Sequence, residues 1–353
     1  MGLSAVPFAW SEGNPQEVGM SAERLEEMLR ALRRAAKLDA LVVIRHDRIV
    51  FEYYGEGYSR KTRHYAASLT KALVGGMSLI LALGDGGINL DERACKYAPQ
   101  WMDDPLKSKI SILHLSTHSS GIEDSVPREP ATWKEKFWEY PRHYDIARDV
   151  APVLFEPGTR FHYSNPGMAM LSYCITAALS GAPEPDIKAL LHKRVMRPLG
   201  MGEGEWSIAE YGGGKPVDVD GLKVYANWGG SSYNPDAVSR IGRLMLHKGN
   251  WDGAPLLDSN WVGRATADSG APGPDRADGP NPRTGLCWWV NADGVWGEVP
   301  KDAFVGAGAG NQVLLVVPSS DLIVVRFGEQ IDPKSFWGGL VEYLFNPIFE
   351  AVK

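Results

Sequence analysis

Ser68-Leu69-Thr70-Lys71 places a hydroxyl and an amine three residues apart, just ahead of an apolar stretch of helical length at 72–83. On a helix, positions i and i+3 share a face with Cβ atoms about 5–6 Å apart, so the two side chains come within hydrogen-bond reach. A serine hydroxyl is a weak nucleophile until a neighbouring base takes its proton. A lysine is such a base only where desolvation or nearby positive charge lowers its pKa. The start of a helix also presents backbone N–H groups with no partner in the helix, and one of these can face a developing oxyanion. Taken alone, the pair also fits a capping serine with a solvated lysine.

Two further stretches carry potential chemistry. In Tyr163-Ser164-Asn165, a tyrosine beside a lysine can be held as phenolate or relay a proton, and an amide two residues on can orient Lys71 or a substrate carbonyl. Its plain alternative is a turn with a surface tyrosine. Gly306-Ala307-Gly308-Ala309-Gly310-Asn311-Gln312 leads into a strand at 313–317. It lacks the spacing of a phosphate loop, which must be followed by a helix. It reads as a strand edge cleared of side chains so that a substrate backbone can approach, or as a flexible hairpin loop. Trp228-Gly229-Gly230 is a candidate cleft segment on the same grounds, with Trp133, Trp138, Trp288 and Trp289 in or beside loops. His114 and His118 stand four apart, but Leu115-Ser116 follow His114, so the glutamate of a helical zinc motif is missing. Both histidines read as structural, and no metal site is expected.

Elements to position these residues can be read along the chain. Ser21 can cap a helix over 21–36, with Leu25, Met28, Leu29 and Leu32 on one face. The β-branched runs 41–44 and 49–51 flank His46-Asp47-Arg48 as a hairpin. Helical pieces follow at 168–180 and 236–248, with Gly/Pro-rich loops such as 270–282. Short strands recur at 287–290, 313–317 and 322–326, and a last helix covers about 335–345. Strands at both ends and helices between predict an α+β fold: an antiparallel sheet flanked by helices, plus an inserted, mainly helical lobe. The expected division is 1–75 with 286–353 for the sheet lobe and 76–285 for the helical lobe. The site would lie in the cleft between them.

Composition narrows the function classes. The chain has 353 residues, enough for a large core without staples. Its 12 Trp, 13 Tyr and 10 Phe are too much aromatic surface for a disordered chain. With 37 basic and 43 acidic residues the net charge is −6, which disfavours a nucleic-acid or anionic-membrane binder. Cys95, Cys174 and Cys287 are an odd set without a C-x-x-C pair, which points to a reducing compartment. The N-terminus Met1-Gly2-Leu3-Ser4-Ala5-Val6-Pro7 shows no basic start and no apolar run, so no signal peptide is expected and the cytoplasm is the expected location. The longest apolar stretch, near 79–83, looks too short to span a bilayer. Oligomeric state cannot be read.

The order of the three chemical elements resembles the three-motif plan of the serine β-lactamase and penicillin-binding-protein superfamily. Further stretches resemble its class C branch. Ile112-Leu113-His114-Leu115-Ser116-Thr117-His118-Ser119-Ser120-Gly121 is similar to "I-x-x-L-L-x-H-x-S-G". Pro157-Gly158-Thr159-Arg160-Phe161-His162-Tyr163-Ser164-Asn165 is similar to "P-G-x-x-F-x-Y-S-N", and Pro198-Leu199-Gly200-Met201 matches "P-L-G-M". The resemblance implies a β-lactamase/transpeptidase-like fold and an acyl-enzyme formed on Ser68, with Lys71 and Tyr163 sharing the acid–base work. Which of the two is the acylation base stays open, since they would titrate as a coupled pair. It further implies that Asn165 orients Lys71 and the acyl group. The backbone N–H groups of Ser68 and Ala309, beside Gly308, would form the oxyanion hole.

One departure bears on substrate. The third motif, usually K-T-G or H-T-G, is here Gly306-Ala307-Gly308, without a cation or hydroxyl to bind a penicillin-type carboxylate. This pattern looks closer to family VIII carboxylesterases and 6-aminohexanoate-oligomer hydrolases. The expected function is therefore a cofactor-free serine hydrolase acting on a small, neutral ester or amide. The alternatives are weak β-lactamase or D,D-peptidase action, or a catalytically silent binding or sensor homologue.

Overall fold

β-branched runs from the two ends of the chain build one sheet. The computed structural model describes residues 8–126, 132–277 and 279–352, so the stretch Met1–Pro7 lies outside the described residues. Leu38–Arg45 (β1) and Arg48–Tyr54 (β2) form the predicted hairpin. Its turn residues His46 and Asp47 both have positive φ (51° and 57°), the geometry whose twist matches the flanking strands. Trp289–Val290 (β3), Phe304–Gly308 (β4), Gln312–Val317 (β5) and Leu322–Gly328 (β6) complete the main part. The order across the sheet is Ser11–Glu12, β2, β1, β6, β5, β4, β3, Arg283–Thr284. Every pairing is antiparallel except the first, where Ser11–Glu12 runs parallel to β2. The central pair joins the two chain ends, with Val324 opposite Val43.

Alternation along the strands divides the core into two layers. Leu41, Val43, Leu315 and Val324 face one side. There they meet helix α1 (Ala22–Ala35), capped by Ser21, and three consecutive C-terminal helical pieces, Phe336–Leu340, Val341–Phe345 and Asn346–Ala351. That terminal run is longer than the sequence pattern suggests, because its last turns pack on α1. Val42, Ile44, Leu314 and Ile323 face the other side.

That second layer holds helix α2 (Ala67–Gly84), helix α3 (Asn165–Ala178) and helix α4 (Pro235–Leu246). Sequence order assigns α4 to the helical half, but it packs on the sheet. A Cβ at Gly242 would lie 2.8 Å from Ile323 and 2.9 Å from Leu314. The sequence pattern marked a helix at 236–248 without showing what it meets.

Helix α2 begins with a tight turn at Ala67–Leu69, widens into a π-helical turn at Lys71–Gly76 and continues as α-helix over Met77–Gly84. Every residue from Leu69 to Leu83 is buried. The helix thus starts ahead of the apolar stretch read at 72–83, at Ala67. By length and composition Ala67–Gly84 could cross a membrane, and 89% of that stretch is buried inside this fold. A lysine at its start must therefore be desolvated.

Candidate active site

Ser68 is set by a short strand running into α2. His64–Tyr65 pairs with Ser232–Tyr233, and the Ala66 N–H donates to the Ser231 carbonyl at 2.8 Å. Ala67 then adopts φ 46°, a sterically costly turn for a residue with a Cβ, and Ser68 follows at the helix start. Thr70 holds this corner, its hydroxyl lying 2.6 Å from both the Ala67 carbonyl and Ser231 Oγ.

Lys71 Nζ lies 3.1 Å from Ser68 Oγ, as helical spacing predicts. It donates to Asn165 Oδ1 at 2.8 Å and to the Trp228 carbonyl at 2.7 Å. Burial pushes its pKa down to about 7, against the opposing pull of Asp124. A neutral amine has two N–H bonds and one lone pair. Two acceptors are in place for the N–H bonds, which leaves the lone pair for Ser68.

Tyr163 donates its O–H to Ser68 Oγ at 2.8 Å. Burial pushes the phenol well above its ordinary pKa, so it stays protonated at neutral pH and the phenolate option falls away for the resting site. Its ring stacks on His118 at 4.5 Å between centroids, while Lys71 Nζ sits 4.7 Å from its centroid. Ser164 caps α3 by accepting from the Gly167 N–H at 2.9 Å, and His118 Nδ1 accepts the Ser164 N–H at 3.2 Å. Burial keeps His118 neutral, as that bond requires.

The two histidines do not share a helix face. The helix Ile112–Ser116 ends before His118, whose φ is 57°, and His114 Nδ1 accepts from the Ser111 N–H as part of a capping box.

Asp124 escaped sequence reasoning. Its Oδ1 accepts the Asn165 backbone N–H at 2.8 Å and the side-chain Nδ2 at 3.0 Å. That fixes the Asn165 amide with its carbonyl oxygen toward Lys71. The carboxylate also favours the ammonium form of Lys71. Asp124→Asn is therefore expected to move the acid limb of the kcat/KM profile to lower pH. Asp124→Ala should also lower the plateau roughly tenfold or more, because the amide is no longer held. A pH series of ester hydrolysis on the two variants checks both.

Two sequence expectations need correction. Trp228 was expected to line a cleft as a substrate-binding residue, yet its side chain is only 1% exposed, and its contribution is the carbonyl that holds Lys71. Gly229 and Gly230 make room for Tyr211 rather than a ligand, since Cβ atoms there would lie 2.5 and 2.8 Å from its ring or hydroxyl.

The glycines of the third motif likewise serve α2. A Cβ at Gly306 would lie 2.6 Å from Leu69, and one at Gly308 would lie 2.4 Å from the Ala66 carbonyl and 2.8 Å from the Ser68 nitrogen. Gly306 to Gly308 are strand residues of β4, and the turn is the following Ala309–Gly310–Asn311. Buried Arg326 fixes this turn through the carbonyls of Gly310 (2.9 Å) and Asn311 (2.7 Å). Ala309 itself is exposed. Gly308→Ala forces a Cβ against backbone, so it is expected to cost about 1–3 kcal/mol in urea melts and to impair turnover by displacing Ser68.

Beside Ser68 and Lys71 opens a narrow recess of about 10 Å³, room for one water-sized group, with His118, Cys287, Trp288 and Trp289 in its walls.

The Beta-lactamase family model matches residues 25–332 of this chain. The chain belongs to that family, one of serine hydrolases. It is 24% identical over 347 residues to the 6-aminohexanoate-dimer hydrolase of Paenarthrobacter ureafaciens, covering 94% of this chain and 82% of that one. A Bacillus anthracis protein provisionally assigned as a 6-aminohexanoate-dimer hydrolase superposes with a TM-score of 0.71 at 18% identity, covering 97% of this chain and 87% of the other. A family VIII carboxylesterase superposes with a TM-score of 0.64 at 16% identity, covering 93% and 99%. These superpositions show the β-lactamase/transpeptidase-like fold expected from the sequence.

Proposed function

We propose that this family member hydrolyses small, uncharged esters or amides through an acyl-enzyme on Ser68. The observation that carries this is a single oxygen, Ser68 Oγ, within 3.1 Å of the Lys71 amine and 2.8 Å of the Tyr163 hydroxyl. Lys71 takes the Ser68 proton as Oγ attacks the carbonyl carbon. The N–H groups of Ser68 and Ala309 receive the oxyanion. Support for that pair comes from Gly308, whose backbone lies against the Ser68 nitrogen. Tyr163 then gives its proton to the leaving group, and the Lys71 ammonium stabilises the phenolate left behind. In deacylation the phenolate takes a proton from water as the hydroxide attacks. Lys71 returns its proton to Ser68 Oγ as the acyl bond breaks.

The uncharged substrate follows from the recess. Among the described residues lining it, Lys71 is the one basic cation, and burial holds it near neutrality. A substrate carboxylate there would be desolvated without a counter-ion. The names of the hydrolase and carboxylesterase relatives agree with ester or amide chemistry. A panel of p-nitrophenyl acetate and butyrate, nitrocefin and 6-aminohexanoate dimer tests the proposal. The neutral esters are expected to turn over fastest, and nitrocefin slowest by orders of magnitude. Nitrocefin as the best substrate would contradict it.

A further inference from the structure

Cys287 is a residue whose placement the hydrolytic steps do not use. Its backbone lies in the left-handed region (φ 64°), held by its N–H donating to the Ser116 carbonyl at 2.8 Å. The side chain is nearly buried and lines the recess beside Ser68. Trp288, 1% exposed, and Ala72 line the same recess.

The two halves of a substrate need different surroundings. The acyl group stays bonded to Ser68 through both steps, whereas the leaving group must depart and water must replace it. A recess beside Ser68 with room for only a small group therefore suits the acyl chain, which does not leave until water releases it. We propose that this recess is the acyl-chain subsite and that the Cys287 side chain sets its depth, restricting the enzyme to short acyl groups. The assignment rests on the acyl-enzyme reading above and adds its substrate class. Cys287 acts here by volume, since burial pushes its thiol up to about 12 and keeps it protonated.

The positive φ supplies a clean variant. Glycine adopts that conformation freely, so Cys287→Gly removes two heavy atoms from the wall without adding backbone strain. p-Nitrophenyl acetate, butyrate and hexanoate vary the acyl chain at constant leaving group. Wild type should favour acetate. Cys287→Gly should raise the hexanoate-to-acetate ratio of kcat/KM about tenfold or more, with Cys287→Ala between, because each methylene accommodated counts at that scale. Across acetates of small and bulky phenols, the order should stay that of wild type. Ratios within about twofold of wild type, in both variants with measurable acetate turnover, would overturn the subsite. So would a shift in phenol preference without one in chain length. Acetate turnover that survives Ser68→Ala would instead overturn the hydrolytic reading and the subsite with it.

Discussion

Ser68→Ala is expected to lower kcat/KM for p-nitrophenyl acetate by about 10⁴–10⁶-fold, the scale seen when a covalent nucleophile is removed from an otherwise intact site. The loss should fall on kcat, because what disappears is a bond formed only during reaction. Folding is not what fails. Ser68 is half-buried at the cleft, and α2 is held by the unbroken apolar run from Leu69 to Leu83 and by Thr70 at its corner. A thermal melt close to wild type, beside lost turnover, is the expected pair of results.

The second large effect belongs to Lys71. With its pKa pushed down to about 7, the amine is free above that pH and protonated below it. With its lone pair as the proposed base, kcat/KM should rise with pH through about 7 and level off, and fall as pH drops through the same value. Tyr163 titrates far higher and does not set this limb. Lys71→Arg keeps positive charge but offers no lone pair at any accessible pH. It should lose about 10²–10⁴-fold, the scale of a general base, and show no recovery at alkaline pH. A pH–rate profile of the two proteins reads both outcomes. A variant that recovers wild-type rate at high pH would assign the base elsewhere.

The part of the site legible in the sequence was the part carried by local spacing. Ser68 and Lys71 meet because they lie one helical turn apart, and Tyr163 and Asn165 travel together at the start of α3. Asp124 had no such signature. It reaches Asn165 because the chain segments at Ile122 and Val153 pair across the lobe, a long-range contact no window displays. Trp228 was misread because its backbone, not its ring, does the work, and backbone carbonyls carry no residue-type signal.

The glycines misled in a related way. Gly229, Gly230, Gly306 and Gly308 did mark close approach, but the neighbours were Tyr211 and the start of α2 rather than a ligand. In the fold, the hairpin of β1 and β2 and the antiparallel ends were readable from β-branched runs. The side of the sheet that α4 covers was not, since amphipathicity names a face and not its partner.

The proposed chemistry requires a covalent bond to one oxygen, Ser68 Oγ. The most direct measurement is peptide mapping by mass spectrometry of enzyme acid-quenched during p-nitrophenyl acetate turnover. The peptide containing Ser68 should carry the mass of one acetyl group at that residue, and the adduct should build up when Tyr163→Phe slows deacylation. Unmodified Ser68 in an actively turning-over enzyme, or acetyl on another residue whose loss abolishes activity, would contradict it.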